Sequence, residues 1–342
     1  MKQTKKKLHP MIPCAGALVV LCAAYGLILY SEKQAAESEL GDADQIYMTS
    51  LSDITAISWT PSENLAFEKE GDTWYYDGDH EFPLRQSLLT SLSDTLGKLP
   101  ADRELQTPEE LSAYGLDEPS ATFEITMEDG STASLLIGSQ VPGTGDESTG
   151  YETVTKEYYA ALEGQDQVYT IGSYLVDTAQ KELYDFLQTE SLPYISGSDI
   201  FQLTVTKNGK TEKFSKGDED EDGNITWYSG SSDTPEADGL TALDDSAALN
   251  NLAEAVSGLS IQSCENYKAS EEDLAAWGLT EPVMEITWTY KKGDTTDTIT
   301  LAIGSTTEDG ASYYTKKDGS KAVNLVSADA VKKCLNAEYP SS

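Results

Sequence analysis

Asp218-Glu-Asp220-Glu-Asp222-Gly223-Asn224-Ile225 is the sharpest chemical pattern in the chain. Carboxylates at alternate positions, a following glycine and a branched apolar residue two places on match the first half of a calcium loop. In such a loop alternate side chains converge on a hard cation while glycine makes the turn. Asp218, Asp220, Asp222 and Asn224 are the ligands this spacing nominates, and calcium is the only cofactor it suggests. The closing position, where a bidentate Glu belongs, is Ser229. The flanking segments read as strands rather than helices, so a solvated acidic hairpin tip competes with the cation site.

Other chemistry is sparse. Two histidines leave little material for His-rich metal centres or for Ser-His-Asp catalysis. His80, in Asp77-Gly-Asp79-His80-Glu81, reads as an exposed group with no identifiable nucleophile or second ligand beside it. Glycoside or peptide hydrolysis by a carboxylate pair needs a defined separation across a cleft. With 59 acids, no pair stands out. Gly138-Ser-Gln-Val-Pro-Gly-Thr-Gly145 lacks the lysine of a phosphate loop and reads as a flexible connection. Adjacent aromatics at Tyr158-Tyr159 and Tyr313-Tyr314 point to opposite faces of a strand, so one of each pair is expected to face outward. These four tyrosines are the candidate ligand-binding residues.

The charge balance constrains partners and location. The 342 residues carry 23 Lys and Arg against 59 Asp and Glu, a formal net charge of −36. Lys2, Lys5, Lys6 and Lys7 lie before Tyr30 with no acid among them, so the remainder carries −40. A surface this acidic repels phosphate backbones, which argues against nucleic acid as a partner. Residues 11–30, MIPCAGALVVLCAAYGLILY, contain no charge and are long enough to cross a ~30 Å hydrocarbon core as helix. The lysines before this run and the acids after it put residues 1–10 in the cytoplasm and the bulk of the chain outside. A cleaved signal peptide would want small residues before its cut, and Gln34-Ala35-Ala36 fits poorly. A lipoprotein cysteine would want a small residue before it, and neither Pro13-Cys14 nor Leu21-Cys22 supplies one. An uncleaved single-pass anchor is therefore the expectation, with residues 31–50 as a spacer. Cys264 and Cys334 then lie outside, where a disulfide competes with two small buried apolar side chains.

An internal duplication organises the rest. Leu111-Ser-Ala-Tyr-Gly-Leu-Asp-Glu-Pro119 returns as Leu274-Ala-Ala-Trp-Gly-Leu-Thr-Glu-Pro282. Ile137-Gly-Ser139 returns as Ile303-Gly-Ser305, and Tyr158-Tyr159 as Tyr313-Tyr314. Within a copy, Ile54 to Thr60 and Phe67 to Tyr76 read as a hairpin. Leu88, Leu89, Leu92, Leu96 and Leu99 fall on one helical face. Thr107 reads as the cap of a short helix ended by Gly115 and Pro119. Phe123, Ile125 and Met127 then alternate up to the Asp129-Gly130 turn, and Leu135 and Ile137 return. A further strand pair and a closing helix from Leu175 to Leu187 complete the copy. The predicted fold class is α+β: two tandem repeats of antiparallel sheet with inserted helices, at residues 51–190 and 198–338, joined across Thr189 to Ser198 and preceded by one transmembrane helix.

The order of a Trp-Tyr strand, a Leu-rich helix, Tyr114-Gly115-Leu116-Asp117-Glu118-Pro119 or Trp277-Gly278-Leu279-Thr280-Glu281-Pro282, and Ile-Gly-Ser resembles a bacterial family described as domain of unknown function 4340. The resemblance covers nearly all of residues 51–338. It implies a membrane-anchored extracytoplasmic protein, accessory to an envelope ABC transporter similar to the gliding-motility type, with other envelope proteins as partners. It carries no catalytic residues. The expected function is a non-enzymatic binding or assembly module. The alternatives are an envelope glycan or peptide hydrolase using a carboxylate pair and a calcium-stabilised surface adhesin.

Overall fold

The computed structural model describes residues 45–61, 65–144, 155–219, 221, 225–230, 240–244 and 246–339. The chain divides into two compact units, Met1–Phe186 and Leu187–Ser342.

In the first unit β1 (Ile46–Tyr47) precedes the meander β2 (Ile54–Thr60), β3 (Ala66–Glu70) and β4 (Thr73–Tyr76). Helix α1 (Gln86–Gly97) follows, then β5 (Pro100–Ala101), β6 (Arg103–Glu104) and a 3-10 turn at Leu111–Tyr114. A second meander, β7 (Ala121–Met127), β8 (Thr132–Gln140), β9 (Glu157–Leu162) and β10 (Tyr169–Gly172), leads to α2 (Tyr174–Ala179). The second unit opens with a 3-10 turn at Gly197–Asp199 and continues through β11 (Ile200–Lys207), β12 (Lys210–Glu219), β13 (Ile225–Ser229), β14 (Thr241–Ala242) and α3 (Ala247–Ser257). It then runs through β15 (Ile261–Asn266), α4 (Glu271–Ala276), β16 (Met284–Lys292), β17 (Thr295–Thr306), β18 (Ser312–Lys317), β19 (Val323–Ser327) and α5 (Ala328–Leu335).

The main sheets have strand orders β4-β3-β2-β7-β8-β9-β10-β6 and β14-β13-β12-β11-β16-β17-β18-β19-β15. Apart from the added edge strand β14, the second order reproduces the first element by element. Every pairing is antiparallel, as hairpin connections require. In each unit the first meander ends at one edge of the sheet. The helix after it leads to a short strand at the opposite edge, and the second meander fills the middle.

Period-two alternation sets the layers. Along β7, Ala121, Phe123 and Ile125 are buried and Glu124 is exposed. Along β16, Met284, Ile286, Trp288 and Tyr290 are buried, with half-buried Glu285, Thr287 and Thr289 between them. The inner face of the first sheet holds an aromatic cluster, with Trp59 5.4 Å from Phe67, 5.5 Å from Phe123 and 5.6 Å from Phe186. Leu89, Leu92 and Leu96 of α1 are buried, and Leu249, Leu252 and Val256 of α3 take the same role. Each such side chain contributes about 2 kcal/mol by leaving water. The opposite face of the second sheet is polar and bonded to itself. Thr287 and Thr300 hydroxyls lie 2.8 Å apart, and those of Thr289 and Thr298 3.0 Å apart.

Three expectations are corrected. Thr107 does not cap a helix. The first copy has only the 3-10 turn, preceded by Glu110 without a side-chain cap bond, whereas Ser270 caps α4 through a reciprocal capping box with Asp273. The closing helix of the first copy ends at Ala179 and gives way to a 3-10 turn at Leu183–Phe186. Gly138, Ser139 and Gln140 lie within β8 rather than in a loop. Residues 189–198 join the two copies, with Tyr194 exposed and other positions held on the second unit. Leu192 and Ile195 lie against the second core, Glu190 accepts a 2.8 Å bond from Asn324, and Gly197 abuts the backbone of Glu254. Among the described residues no helix is long and apolar enough to cross a membrane, and residues 11–30 lie outside them.

Each unit ties its tryptophan strand to the helix that follows. Trp74 lies on edge strand β4, where its N–H and C=O lack a strand partner on one side. Its N–H donates to Gln86 Oε1 at 2.8 Å, and its carbonyl accepts from Gln86 Nε2 at 2.9 Å. In the second unit the Trp227 N–H donates to Ser246 Oγ at 2.9 Å, and the ring N–H donates to Asn250 Oδ1 at 2.8 Å. Leu243, directly after β14, takes over part of the amide's role, since its N–H donates to the Trp227 carbonyl at 2.9 Å. Replacing Gln86 by Ala orphans two backbone groups at a half-covered edge, and the expected loss in urea denaturation is about 1–3 kcal/mol. Gln86→Glu keeps the acceptor for the Trp74 N–H but turns a carboxylate oxygen toward the Trp74 carbonyl, so it is expected to lose at least as much.

Candidate functional site

The two motifs that define the repeat meet in space. Gly115 and Gly278 adopt left-handed backbone, with φ of 68° and 69°, directly after the helical turns that end at Tyr114 and Trp277. Only glycine takes that conformation freely. The reversal exposes the last carbonyls of the turn, which need partners from elsewhere. Those partners come from the Gly-Ser segments of β8 and β17. Ser139 Oγ donates to the Tyr114 carbonyl at 3.0 Å. Ser305 donates to the Trp277 carbonyl from both its Oγ, at 3.0 Å, and its backbone N–H, at 2.8 Å.

The strands bend to permit this. Pairing of β8 with β9 shifts register between Ile137 and Gln140, and pairing of β17 with β18 shifts between Ile303 and Thr306. A bulge frees a residue from the ladder and re-aims it. A Cβ at Gly138 or Gly304 would overlap the Tyr114 or Trp277 carbonyl oxygen, so no other residue fits. Leu116 and Leu279 are buried beside those glycines, at 2% and 9% exposure. The motif residues thus form a clasp, present once in each unit.

The candidate binding tyrosines are part of it. The Tyr159 ring lies 4.8 Å from Tyr114, and Tyr314 stacks on Trp277 at 5.1 Å and 15°. Tyr313 packs instead against the second core. All four tyrosines are half-buried. Burial, and then the charges of Glu265, Glu308 and Asp309, push the pKa of the Tyr314 hydroxyl above its ordinary value. The structure therefore brings Tyr159 and Tyr314 to matching places beside the clasps.

The nominated calcium ligands fall largely outside the described residues. The backbone of Asp218 lies in β12, while Asp220, Asp222 and Asn224 are beyond description. His80 is less isolated than its sequence neighbourhood indicated. Its Nε2 lies 2.7 Å from Glu68 Oε1, and its ring stacks on Tyr75 at 4.9 Å and 18°. Glu70 lies near both. The Glu68 and Glu70 partners were missed because they sit ten or so residues earlier, across a hairpin. The signal that could have found them is their i, i+2 spacing on β3, which places both on one face.

A groove of about 500 Å³ in the first unit is lined by Leu99, Pro100, Asp102, Ile171, Tyr174 and Leu175, with polar groups between them. Burial and then the charge of Glu157 push the Asp102 carboxyl above its usual range, against the pull of Arg103. Cys264 and Cys334 are both free thiols, so the apolar alternative holds over the disulfide. Burial raises the first to about 11 and the second to about 12, which leaves both protonated and unreactive near neutrality.

If the clasp is the structural requirement of each copy, Gly304→Ala is expected to destabilise its unit by more than the roughly 1 kcal/mol of an ordinary glycine replacement. Ser305→Ala, which keeps the backbone bond, is expected to cost about 1 kcal/mol. Gly258→Ala, at a position in the same unit with negative φ and only ordinary contacts for an added Cβ, supplies the control in the same thermal melts.

No curated protein and no solved structure matches the chain. One family does match, twice, over residues 74–263 and 236–339, and its description is Domain of unknown function (DUF4340). The two matched segments span most of both units and include both clasps, and the chain accordingly belongs to the DUF4340 family.

Proposed function

We propose that this protein is a membrane-anchored extracytoplasmic binding and assembly module, accessory to an envelope ABC transporter of the gliding-motility type. Residues 11–30 are its single-pass signal anchor, residues 1–10 its cytoplasmic tail, and the two α+β units its working part. Other envelope proteins are its partners, and nucleic acid is not among them. The anchor rests on the uncharged run between four lysines and a remainder of net charge −40.

The observation that carries the assembly reading is the use to which the repeated residues are put. Tyr114, Gly115, Leu116, Gly138 and Ser139, and their counterparts Trp277, Gly278, Leu279, Gly304 and Ser305, all serve the same internal contact. Duplication has multiplied a shape rather than a set of reactive groups. Tyr159 and Tyr314, half-buried beside the two clasps, are equivalent places for a partner to touch. Aromatic groups with one packed and one accessible side are common interface anchors.

A hydrolytic reading has one feature in its favour, the raised Asp102 carboxyl beside Glu157 at the edge of the groove. It ranks second because Glu157 is engaged with the Arg103 guanidinium at 3.2 Å, which occupies the carboxylate a catalytic pair would need free.

The assembly reading predicts that the full chain, captured from detergent-solubilised membranes of its own cell, brings transporter subunits with it. Replacing both Tyr159 and Tyr314 by Ser is expected to reduce that recovery while leaving the chain in the membrane fraction. Recovery of the bait alone, or of the bait in the soluble fraction, counts against the proposal.

A further inference from the structure

We propose that Glu68, Glu70 and His80 form a site for a zinc-class divalent cation on the first unit. Among the described residues, this is the one place where three potential ligand atoms from such side chains lie within 4.8 Å of one another. The three converge because of how the hairpin is built. Glu68 and Glu70 alternate along β3 and so share its outer face, opposite Tyr75 and Thr73 of the edge strand β4. Lys69, between them in sequence, reaches toward the Trp74 ring at 5.9 Å, on the other face, and does not neutralise them.

After β4 the chain turns back. Asp79 N–H donates to the Tyr76 carbonyl at 3.2 Å, and Phe82 N–H donates to the Asp79 carbonyl at 2.9 Å. This turn carries His80 over the hairpin, where its ring lies flat on Tyr75. The stack fixes the ring plane, and Nε2 points at Glu68. Outer contacts that orient a histidine in this way strengthen a metal site by removing the need to order the ring on binding.

The imidazole decides the class of cation. Carboxylates alone suit calcium or magnesium, which take oxygen ligands in sets of six or more. One nitrogen with two carboxylates suits zinc and its neighbours, which accept imidazole and need four ligands. Three groups come from the protein, and water or a partner side chain completes the set. In the cation-free chain His80 Nε2–H donates to Glu68; binding replaces that hydrogen bond with bonds from both groups to the metal, and the Nε2 proton passes to water. The dication also relieves the repulsion between two carboxylates on one strand face. The site is exposed at a sheet edge, with His80 and Glu68 side chains 45% and 43% accessible, so a cation enters without rearrangement of the core.

The proposal does not depend on the membrane or transporter reading. Its test exploits the chain's two histidines. In the full-length His9→Ala variant, purified in detergent without a histidine tag, His80 is the sole imidazole, and its ring is followed by NMR with labelled histidine. One equivalent of Zn²⁺ is expected to shift the His80 ring nitrogens, and the same concentration of Ca²⁺ to leave them in place. Glu68→Gln and Glu70→Gln, both surface changes, are each expected to weaken zinc binding by roughly tenfold or more. His80 signals unmoved by zinc would overturn the proposal. So would zinc affinity unchanged in both glutamine variants, which would reveal a lone imidazole, or displacement of zinc by an equal concentration of Ca²⁺, which would reveal only an acidic surface.

Discussion

The carbonyl group of one aromatic residue per unit, at Tyr114 and Trp277, sits at the junction on which each sheet depends. A helical turn that ends in left-handed glycine leaves this oxygen without an intrahelical donor. The second meander supplies donors from a bulge in its own second strand, at Ser139 and Ser305. Neither partner tolerates a change in shape. The turn needs glycine for its φ, and the strand needs glycine because the oxygen occupies the place of a Cβ. The contact locks the connection that returns from the far edge of the sheet to the strand that fills its centre. It also buries Leu116 and Leu279.

The consequences spread from there. Because the clasp sets where β7 and β16 begin, it sets the register of Phe123 and Ile125 against Leu135 and Ala133, and of Ile286 and Trp288 against Leu301 and Ile299. A slip of one residue would turn those side chains to the polar face. The helices α1 and α3 then cover the inner faces. The polar outer face of the second sheet is satisfied by paired threonines, and the acidity of the chain keeps such faces solvated. The units use different local means for the same end. A 3-10 turn with no side-chain cap serves in the first, and a capped α-helix in the second, while the terminal glycine and the bulge are kept.

Much of this was legible in the residues. Alternation along Phe123-Glu-Ile125 and Met284-Glu-Ile-Thr-Trp288, the leucine stripe from Leu89 to Leu96 and the Gly130 turn are local signals, and each reports its own element. The duplicated motifs revealed two copies of one fold. What stayed hidden was non-local. Gly138 reads as part of a loop because its neighbours include Pro142, Gly143 and Gly145, and only the approach of a carbonyl from 24 residues earlier explains its place in a strand. Thr107 has the chemistry of a cap, but the turn begins four residues beyond it, at Leu111. Residues 189–198 have the composition of a linker, yet Leu192 and Ile195 pack against a core whose members lie far along the chain, and Glu190 accepts a bond from Asn324. That Tyr159 and Tyr314 each lie against the aromatic residue of a clasp was hidden too, because strand alternation says nothing of a turn packed across the sheet. His80 looked solitary because its partners lie across a hairpin.

The central claim is that the clasp belongs to the cooperative core of each unit and is not a surface decoration of it. Hydrogen exchange of the intact chain, read on peptides covering 274–282 and 303–306, tests this most directly. The amides of Leu279 and Ser305 donate at 2.8 Å to the Leu274 and Trp277 carbonyls. The account predicts that they exchange as slowly as the central strand β16, opening only when the unit unfolds as a whole. Exchange at the rate of the open turn at Gly310, with β16 still protected, would contradict it.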